Sequence, residues 1–164
     1  MLYNIRSFDK LVDTALFQSG QPLLDQYIQR YASQDVKRQV SRVFIATPTN
    51  NTNQLAGFFT LSAGSIRCSD LPNSLAKKLP RYPIPVALIG RLAVDYRFQG
   101  KGLGSILLAD ACRKVINASA TLSVVGIVVE AKDVAASNFY QYFGFTPLPG
   151  VSSRLILPMS AISR

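Results

Sequence analysis

The sequence has no histidine among its 164 residues and only one glutamate, Glu130. The absence of histidine removes the usual general base at neutral pH and the commonest protein ligand of metal ions. The two cysteines, Cys68 and Cys112, lie far apart and form no metal-binding or redox motif. We therefore expect reduced thiols, no metal site, and a catalytic mechanism, if there is one, that depends on other groups.

Long apolar runs are absent as well. The opening segment, MLYNIRSFDK, carries Arg6, Asp9 and Lys10 where a secretory signal peptide needs an apolar region. No apolar run in the sequence reaches the length of a membrane-spanning helix. We therefore expect a protein of the cytoplasm.

Acidic residues are half as numerous as basic ones, with 9 Asp and Glu against 18 Lys and Arg, which gives a formal net charge of +9. This excess suggests a polyanionic partner, such as nucleic acid, a phosphorylated cofactor or an acidic protein. A basic protein without such a partner is the alternative. With 48% hydrophobic residues the chain is too apolar to be disordered, and its length is that of one domain with its own core.

Hydrophobic periodicity predicts alternating strands and helices without repeats or linkers. In the segment 21–39, helical spacing brings Leu24, Tyr27, Ile28 and Tyr31 to one face. The predicted helices are 21–39, 102–118 and 133–143, and the predicted strands are 1–8, 42–46, 55–66, 86–94, 123–131 and 152–159, with a hairpin loop at 47–54 and a turn at 144–148. This order indicates an α/β (α+β) protein with a mixed sheet and helices between its strands.

The segment VDYRFQGKGLGSILL, residues 94–108, contains three glycines between a buried strand and a helix. Its backbone N–H groups and the helix dipole converge where an anion would sit. Gly100, Gly102 and Gly104 let a ligand approach the backbone closely, and Arg97 and Lys101 add positive charge. The segment therefore predicts an anion site.

Neither of two familiar phosphate motifs fits this segment. A Walker loop needs Lys and then Ser or Thr directly after its last glycine, but Ser105 and Ile106 follow Gly104. The dinucleotide fingerprint needs a third glycine where Ser105 stands. What remains is the motif R-x-x-G-x-G, from Arg97 to Gly102. By itself this motif is as typical of a glycine-rich turn without a ligand as of an anion-binding loop.

The wider context of this motif is more specific. The chain resembles the GNAT N-acetyltransferase superfamily over nearly its whole length. The resemblance lies in the order of its segments: RLAV, R-x-x-G-x-G, a helix, a buried strand and then NFYQYFGF. The resemblance implies one acetyltransferase domain, 1–164, of the GNAT fold. In that fold a central mixed, mostly antiparallel sheet has a splayed strand pair and is flanked by helices. The resemblance also implies acetyl-CoA as the acetyl donor and coenzyme A as the product.

The same resemblance assigns roles by position. It implies that the strand before the loop binds the pantetheine arm through its backbone and that the loop cradles the pyrophosphate. The pantetheine residues would be Leu92, Ala93 and Val94, and Asn138 and Tyr140 would flank the thioester. The full set of expected acetyl-CoA-binding residues is Leu92, Ala93, Val94, Arg97, Gln99, Gly100, Lys101, Gly102, Leu103, Gly104, Ser105 and Asn138.

A finer resemblance narrows the function. Three segments are similar to the acetyltransferase toxins of bacterial type II toxin–antitoxin pairs. They are LPRYPIPVALIGRLAVDYRFQGKGLGSILLADA, GFFTLSAGSI and LLDQYIQRYASQDVKRQ. That similarity implies acetylation of the α-amino group of aminoacyl-tRNA, arrest of translation, a homodimer and a small ribbon-helix-helix antitoxin. Two alternatives stay open: an N-acetyltransferase of a small amine or a protein N-terminus, and an inactive module that binds acetyl-CoA or nucleic acid.

Acetyl transfer needs a neutral amine and an acid for the leaving thiolate. A lysine amine, with a pKa near ~10.4, needs a strong base, whereas an α-amine near ~7.7–8 is partly neutral at pH 7. A chain without histidine suits the α-amine better. Tyr140 is where the family places the acid, although it could be a core aromatic residue. Tyr142 should point to another face of the helix, and either Glu130 or water could take the amine proton.

Basic side chains could bind the phosphates of tRNA through salt-dependent contacts. The residues expected to do so are Arg38, Lys77, Lys78 and Arg81, within clusters that also contain Arg30, Lys37, Arg42, Arg113 and Lys114. Tyr31 and Tyr82 could stack on bases, although packing is the more usual role. A solvated surface explains each cluster equally well.

Overall fold

The computed structural model describes residues 2–162, except for the side chain of Ser152. Its strands are β1 (Tyr3–Ser7), β2 (Arg42–Pro48), β3 (Gly57–Ile66), β4 (Ile84–Val94), β5 (Gly126–Glu130), β6 (Thr146–Leu148) and β7 (Val151–Pro158). They form one sheet in the order β1-β2-β3-β4-β5-β7-β6. β4 pairs with β5 in parallel, with Ala87 opposite Ile127, whereas β1–β2, β2–β3, β5–β7 and β6–β7 pair antiparallel.

Helices lie between these strands and after the last of them. The α-helical segments of residues 2–162 are α1 (Pro22–Gln26), α2 (Ala32–Lys37), α3 (Asn73–Ala76), α4 (Leu103–Ala118), α5 (Val134–Tyr142) and α6 (Met159–Ile162). A π-helical turn, Tyr27–Tyr31, joins α1 to α2, and 3₁₀ turns lie at Cys68–Asp70 and Tyr96–Phe98. The expected fold, a mixed and mostly antiparallel sheet flanked by helices, is confirmed.

Two short α-helices and one short strand were not predicted. α3 and α6 contain four residues each, too few for a hydrophobic period to be visible in the sequence. β6 replaces part of the predicted turn at 144–148 and lies at the edge of the sheet, where Pro147 need not donate a hydrogen bond to a neighbouring strand. Met1, at the start of the first predicted strand, lies outside the described residues.

The chain divides into two compact units, Met1–Ser62 with Gly90–Ala111 and Ala63–Ile89 with Cys112–Arg164. The buried cluster of the first includes Phe17, Tyr27, Ile28, Ile45, Leu55 and Phe58, and that of the second includes Ile66, Leu71, Ile84, Val86, Val128 and Ile156. Because β3, β4 and α4 each contribute residues to both units, we propose that 1–164 unfolds as one domain. A single calorimetric transition would support this proposal, and two separate ones would refute it.

In the segment 21–39, the residues that are buried differ from those expected from helical spacing. Tyr27 and Ile28 are 4% and 2% exposed, but Tyr31 is 48% exposed, and Ala32 takes the buried position at 1%. The π-helical turn explains the difference, because its wider turn shifts the side chains that follow by one position. The expectation that Tyr31 shares one face of the helix with Tyr27 and Ile28 is therefore wrong.

Gly57 determines how closely β3 approaches its neighbours in the first unit. An ideal Cβ at this position would lie 2.9 Å from the carbonyl oxygen of Ala93 and 2.9 Å from Leu107 Cδ1. Both distances are shorter than van der Waals contact, and the carbonyl belongs to the backbone of β4 and cannot swing aside. A side chain at position 57 would therefore push β4 or α4 away from β3.

Replacing Gly57 with Ala should lower the free energy of unfolding by about 1–3 kcal/mol, because the added methyl group overpacks this contact. Urea denaturation followed by circular dichroism measures the change. Gly64→Ala is a matched control in the same strand, because its Cβ would lie 3.7 Å from Val86 Cγ2, an ordinary contact. Equal losses in the two variants would show that the close approach at Gly57 does not limit the packing.

Candidate active site

The glycine loop joins the end of β4 to the start of α4. Gly100 and Gly102 have φ angles of 75° and 84°, in the left-handed region that glycine adopts without strain. An ideal Cβ at either position would meet no atom within 4 Å, so the space beside the loop is open. The N–H groups of the first turn of α4 have no acceptor within the helix, and the positive end of the helix dipole lies there. This geometry fits a phosphate group.

Asp95, between β4 and the loop, is a residue that sequence reasoning missed. Its carboxylate is fully buried, at 0% exposure. Oδ1 accepts hydrogen bonds from the Arg97 N–H at 2.9 Å and Arg97 Nε at 2.8 Å, and Oδ2 accepts from the Gln18 N–H at 3.0 Å and Arg97 Nη2 at 3.2 Å. Burial acts to raise the pKa of Asp95, but these hydrogen bonds outweigh it and lower the pKa below its ordinary value. An acidic residue at the end of an apolar strand, two positions before an arginine, was the available signal.

Arg97 and Gln99 use their side chains within the protein. The ion pair with Asp95 raises the pKa of Arg97. Gln99 Nε2 donates to the carbonyl oxygens of Ser19 and Val94, at 2.8 Å each. The structure thus places both side chains next to the loop, where they hold its backbone.

The other expected acetyl-CoA-binding residues of the first unit surround this loop. Leu103 is buried, and its side chain lies against the position of Gly57, so only its backbone can face a ligand. Lys101 is exposed, and its Nζ donates to the Arg97 carbonyl at 3.3 Å. Ala93 is buried, while four residues are partly exposed, namely Leu92 and Val94 in β4 and Gly104 and Ser105 in α4.

Tyr140 lies on α5 in the second unit. It is 4% exposed, and its ring meets Phe139 and Phe145 edge-on, with centroids 5.3 and 5.6 Å away. Burial, with a smaller contribution from Cys112, raises the pKa of Tyr140 well above its usual range. A phenol with a raised pKa keeps its proton at neutral pH, so this group has a proton to donate and is not a base, although the same shift makes it a weaker acid.

Two other residues of α5, Asn138 and Tyr142, are exposed. Tyr142 is 85% exposed, which confirms that it points away from Tyr140. Asn138, expected beside the thioester, is also exposed. The helix begins where the sequence predicts, because Asp133 Oδ1 accepts a hydrogen bond from the Ala136 N–H at 2.8 Å.

Glu130, the alternative base, ends β5 opposite Arg154 of β7. Its Oε2 accepts a hydrogen bond from Arg154 Nε at 2.8 Å, and its Oε1 accepts from Ser153 Oγ at 3.2 Å. Both carboxylate oxygens therefore have partners within the protein. The ion pair with Arg154 favours the ionised carboxylate, which lowers the tendency of Glu130 to take a proton from an amine.

Comparison with known proteins assigns the chain to a family. The family model described as "Acetyltransferase (GNAT) domain" matches residues 39–147. The chain belongs to this family. The match includes β4, the glycine loop, α4 and α5, and so contains the residues predicted to bind acetyl-CoA and Tyr140.

Three matches, two of them to structures of AtaT, extend the comparison of this GNAT chain to nearly its full length. The tRNA-acetylating toxin of Mycobacterium tuberculosis is 36% identical over 147 residues, which are 90% of this chain and 86% of the relative. The structure of AtaT complexed with acetyl-methionyl-tRNAfMet matches with a TM-score of 0.91 and 30% identity, covering 98% of this chain and 97% of that one. A mutant AtaT toxin bound to the C-terminus of the antitoxin AtaR and acetyl-CoA matches with a TM-score of 0.84 and 25% identity, covering 99% and 97%.

The basic residues of this GNAT chain lie in both units. Arg38 in the first unit and Lys77, Lys78 and Arg81 in the second are exposed, as their predicted role in binding tRNA requires. The further cationic side chains of these clusters are also exposed, except for the partly buried Lys114: Arg30, Lys37, Arg42 and Arg113. Tyr82, like Tyr31, is exposed, at 66%.

Neither a metal site nor a membrane-spanning helix is found within residues 2–162. No group of three or more histidine, cysteine, aspartate or glutamate side chains there could hold a metal ion. None of the helices in this part of the chain is long and apolar enough to cross a membrane.

Replacing Gly102 with Glu should abolish acetyl-CoA binding, because a carboxylate would enter the open space beside the loop and repel the diphosphate. Gly102→Ala is the graded control, since it shares the strain at φ 84° but adds neither the charge nor most of the bulk. We expect a partial loss of affinity for Ala and a complete one for Glu in isothermal titration calorimetry. Unchanged affinity in both variants would mean that the loop is not the anion site.

Proposed function

We propose that this protein transfers the acetyl group of acetyl-CoA to the α-amino group of aminoacyl-tRNA and acts as a translation-blocking toxin. The observation that carries the proposal is the match, over 98% of the chain, to AtaT in complex with acetyl-methionyl-tRNAfMet. The name of the Mycobacterium tuberculosis relative, tRNA-acetylating toxin, supports the same reaction. The open glycine loop and the buried Tyr140 supply the two groups that this chemistry needs.

Acetyl-CoA supplies an acetyl group that is activated as a thioester. In our proposal the N–H groups of residues 100–105 bind its diphosphate, with Lys101 adding charge, and the backbone at the end of β4 aligns the pantetheine arm. The neutral α-amine forms the new N–C bond as the C–S bond breaks. Tyr140 gives its proton to the leaving sulfur and regains one from solvent, and water takes the proton that the amine loses.

The partners follow from the same comparison. We propose a small antitoxin as the inhibitory partner, because the mutant AtaT structure contains the C-terminus of the antitoxin AtaR. A ribbon-helix-helix antitoxin, a homodimer and a location in the bacterial cytoplasm are the finer expectations carried over from the sequence. Sedimentation analysis of the protein alone and with its antitoxin tests the assembly states.

The direct test is incubation of the protein with acetyl-CoA and charged tRNA, followed by mass spectrometry of the amino acids released from the tRNA. N-acetylated amino acids are the expected product, and expression without an antitoxin should arrest growth. The result that contradicts the proposal is unmodified amino acids together with acetylation of a small amine or of a peptide N-terminus. Binding of acetyl-CoA without transfer to any amine would instead indicate an inactive module.

Tyr140→Phe should reduce kcat by about 10²–10⁴-fold, because it removes the proton donor and keeps the ring in its buried site. Stability and acetyl-CoA affinity should change little.

The rate of the unmodified protein should rise with pH as the amine loses its proton. At pH values up to about 10 it should show no decline, since the raised pKa keeps Tyr140 protonated. A stopped assay across this pH range measures both effects.

Tyr142→Phe is the matched control, because the same atom is removed from an exposed residue of the same helix. Its kcat should stay close to that of the unmodified protein. Full activity in Tyr140→Phe, together with loss of activity in Glu130→Gln, would instead identify a mechanism that depends on a base.

Charge reversal at Lys77 and Lys78 should raise KM for charged tRNA and leave acetyl-CoA affinity unchanged, because these exposed cations would bind phosphates. Removal of one cation that binds a phosphate should reduce the slope of log affinity against log salt by about one. Lys10→Glu makes the same charge change as each single reversal, at an exposed residue outside the clusters, and should have a smaller effect. If the three single variants behave alike, the net charge matters rather than a site at 77 and 78.

A further inference from the structure

We propose that Asp95 is a positioning residue for acetyl-CoA binding, which fixes the glycine loop in the conformation that binds the diphosphate and keeps the Arg97 guanidinium engaged within the protein. The inference rests on the proposed use of acetyl-CoA. It assigns contact with the diphosphate to the loop N–H groups and Lys101, and it gives Arg97 an indirect role.

The burial of Asp95 is the first observation. A carboxylate with 0% exposure is costly to bury unless its oxygens are paired. Each oxygen accepts two hydrogen bonds, and three of the four come from Arg97, through its N–H, Nε and Nη2. The guanidinium therefore faces Asp95 with two of its nitrogens, in the forked arrangement that suits a carboxylate. Asp95 and Arg97 neutralise each other before any ligand binds.

The second observation is a set of hydrogen bonds, called the brace below, that joins residues 95–99 to residues 18–19. The Gln18 N–H donates to Asp95, and the Tyr96 N–H donates to the Gln18 carbonyl at 2.8 Å. Gln99 Nε2 adds a bond to the Ser19 carbonyl. Residues 18–19 thus hold residues 95–99 on both sides of Arg97.

Ser19 is itself fixed, because its N–H and its Oγ both donate to Asp25 Oδ1, at 2.9 and 2.6 Å. The loop is anchored at its other end by the buried Leu103. Between these anchors lie Gly100 and Gly102, whose left-handed backbone has no side chain to hold it in place. Fixing both ends lowers the entropy that the loop must lose when it binds an anion.

Asp95→Asn tests the proposal, because it keeps the shape of the side chain and removes the charge and part of the accepting capacity. Acetyl-CoA affinity measured by calorimetry should fall about 10- to 100-fold. KM for acetyl-CoA should rise by a similar factor while kcat stays close to that of the unmodified protein. Affinity for S-acetylpantetheine, which lacks the diphosphate, should not change. Unchanged acetyl-CoA affinity, or an equal loss for both ligands, would overturn the proposal.

A double-mutant cycle with Arg97→Gln tests the indirect role of Arg97. If Arg97 acts through Asp95, the double variant should bind acetyl-CoA no more weakly than Asp95→Asn alone. A further loss in the double variant would show that Arg97 contacts the diphosphate itself, and would overturn this part of the proposal.

Two more variants separate positioning from general stability. Ile45→Val destabilises the core of the same unit and should lower the midpoint of thermal unfolding without changing acetyl-CoA affinity.

Gln99→Leu removes part of the brace at an exposed residue, so it tests the proposal even if Asp95→Asn fails to fold. It should weaken acetyl-CoA binding several-fold and leave S-acetylpantetheine binding unchanged, and no effect would contradict the proposal. Absence of acetyl-CoA binding by the unmodified protein would instead reject the proposed function.

Discussion

The close approach of β3 to β4 and α4 at Gly57 determines where the glycine loop lies. Because no Cβ stands at this position, the Ala93 carbonyl and the side chains of Leu103 and Leu107 can occupy the space beside β3. The last residues of β4 and the first turn of α4 are thereby fixed within one unit, and the loop has to connect them. The orientation of its N–H groups is thus a consequence of core packing as much as of the loop sequence.

Burial acts to raise the pKa of both Asp95 and Tyr140, but the net shifts of the two groups are opposite. At Asp95, hydrogen bonds from Arg97 and Gln18 outweigh the desolvation of the carboxylate, and the group stays ionised. At Tyr140, desolvation dominates and its neighbour Cys112 acts in the same direction, so the phenol stays neutral. One group can therefore serve as a fixed anion inside the fold, and the other as a proton donor.

Local patterns in the sequence predicted most of the fold and the position of the glycine loop. The spacing of apolar residues predicted the main helices and strands, the glycines predicted the loop, and the two-residue separation of Tyr140 from Tyr142 predicted their different exposure. These features depend on neighbours within a few positions, so a single sequence contains the necessary information.

Features that depend on distant contacts or on an irregular backbone were missed. The exposure of Tyr31 follows from a π-helical turn, which has no composition of its own in this sequence. The contact of Asp95 with Gln18 was also missed, because Gln18 lies 77 residues earlier and contributes only a backbone N–H group. Since every residue except proline has such a group, no residue type at position 18 could have revealed the contact.

The pKa of the proposed acceptor amine explains why this enzyme can work without histidine. At pH 7 a lysine amine with a pKa near ~10.4 is neutral in roughly one molecule in 2500, whereas an α-amine near ~7.7 is neutral in roughly one in six. The difference of about 400-fold falls within the 10²–10⁴-fold that a positioned acid or base contributes. An enzyme that accepts α-amines therefore gains from its substrate what an enzyme acting on lysine must obtain from a base. What such an enzyme still needs is an acid for the thiolate, and in our proposal the buried Tyr140 takes that role without a histidine.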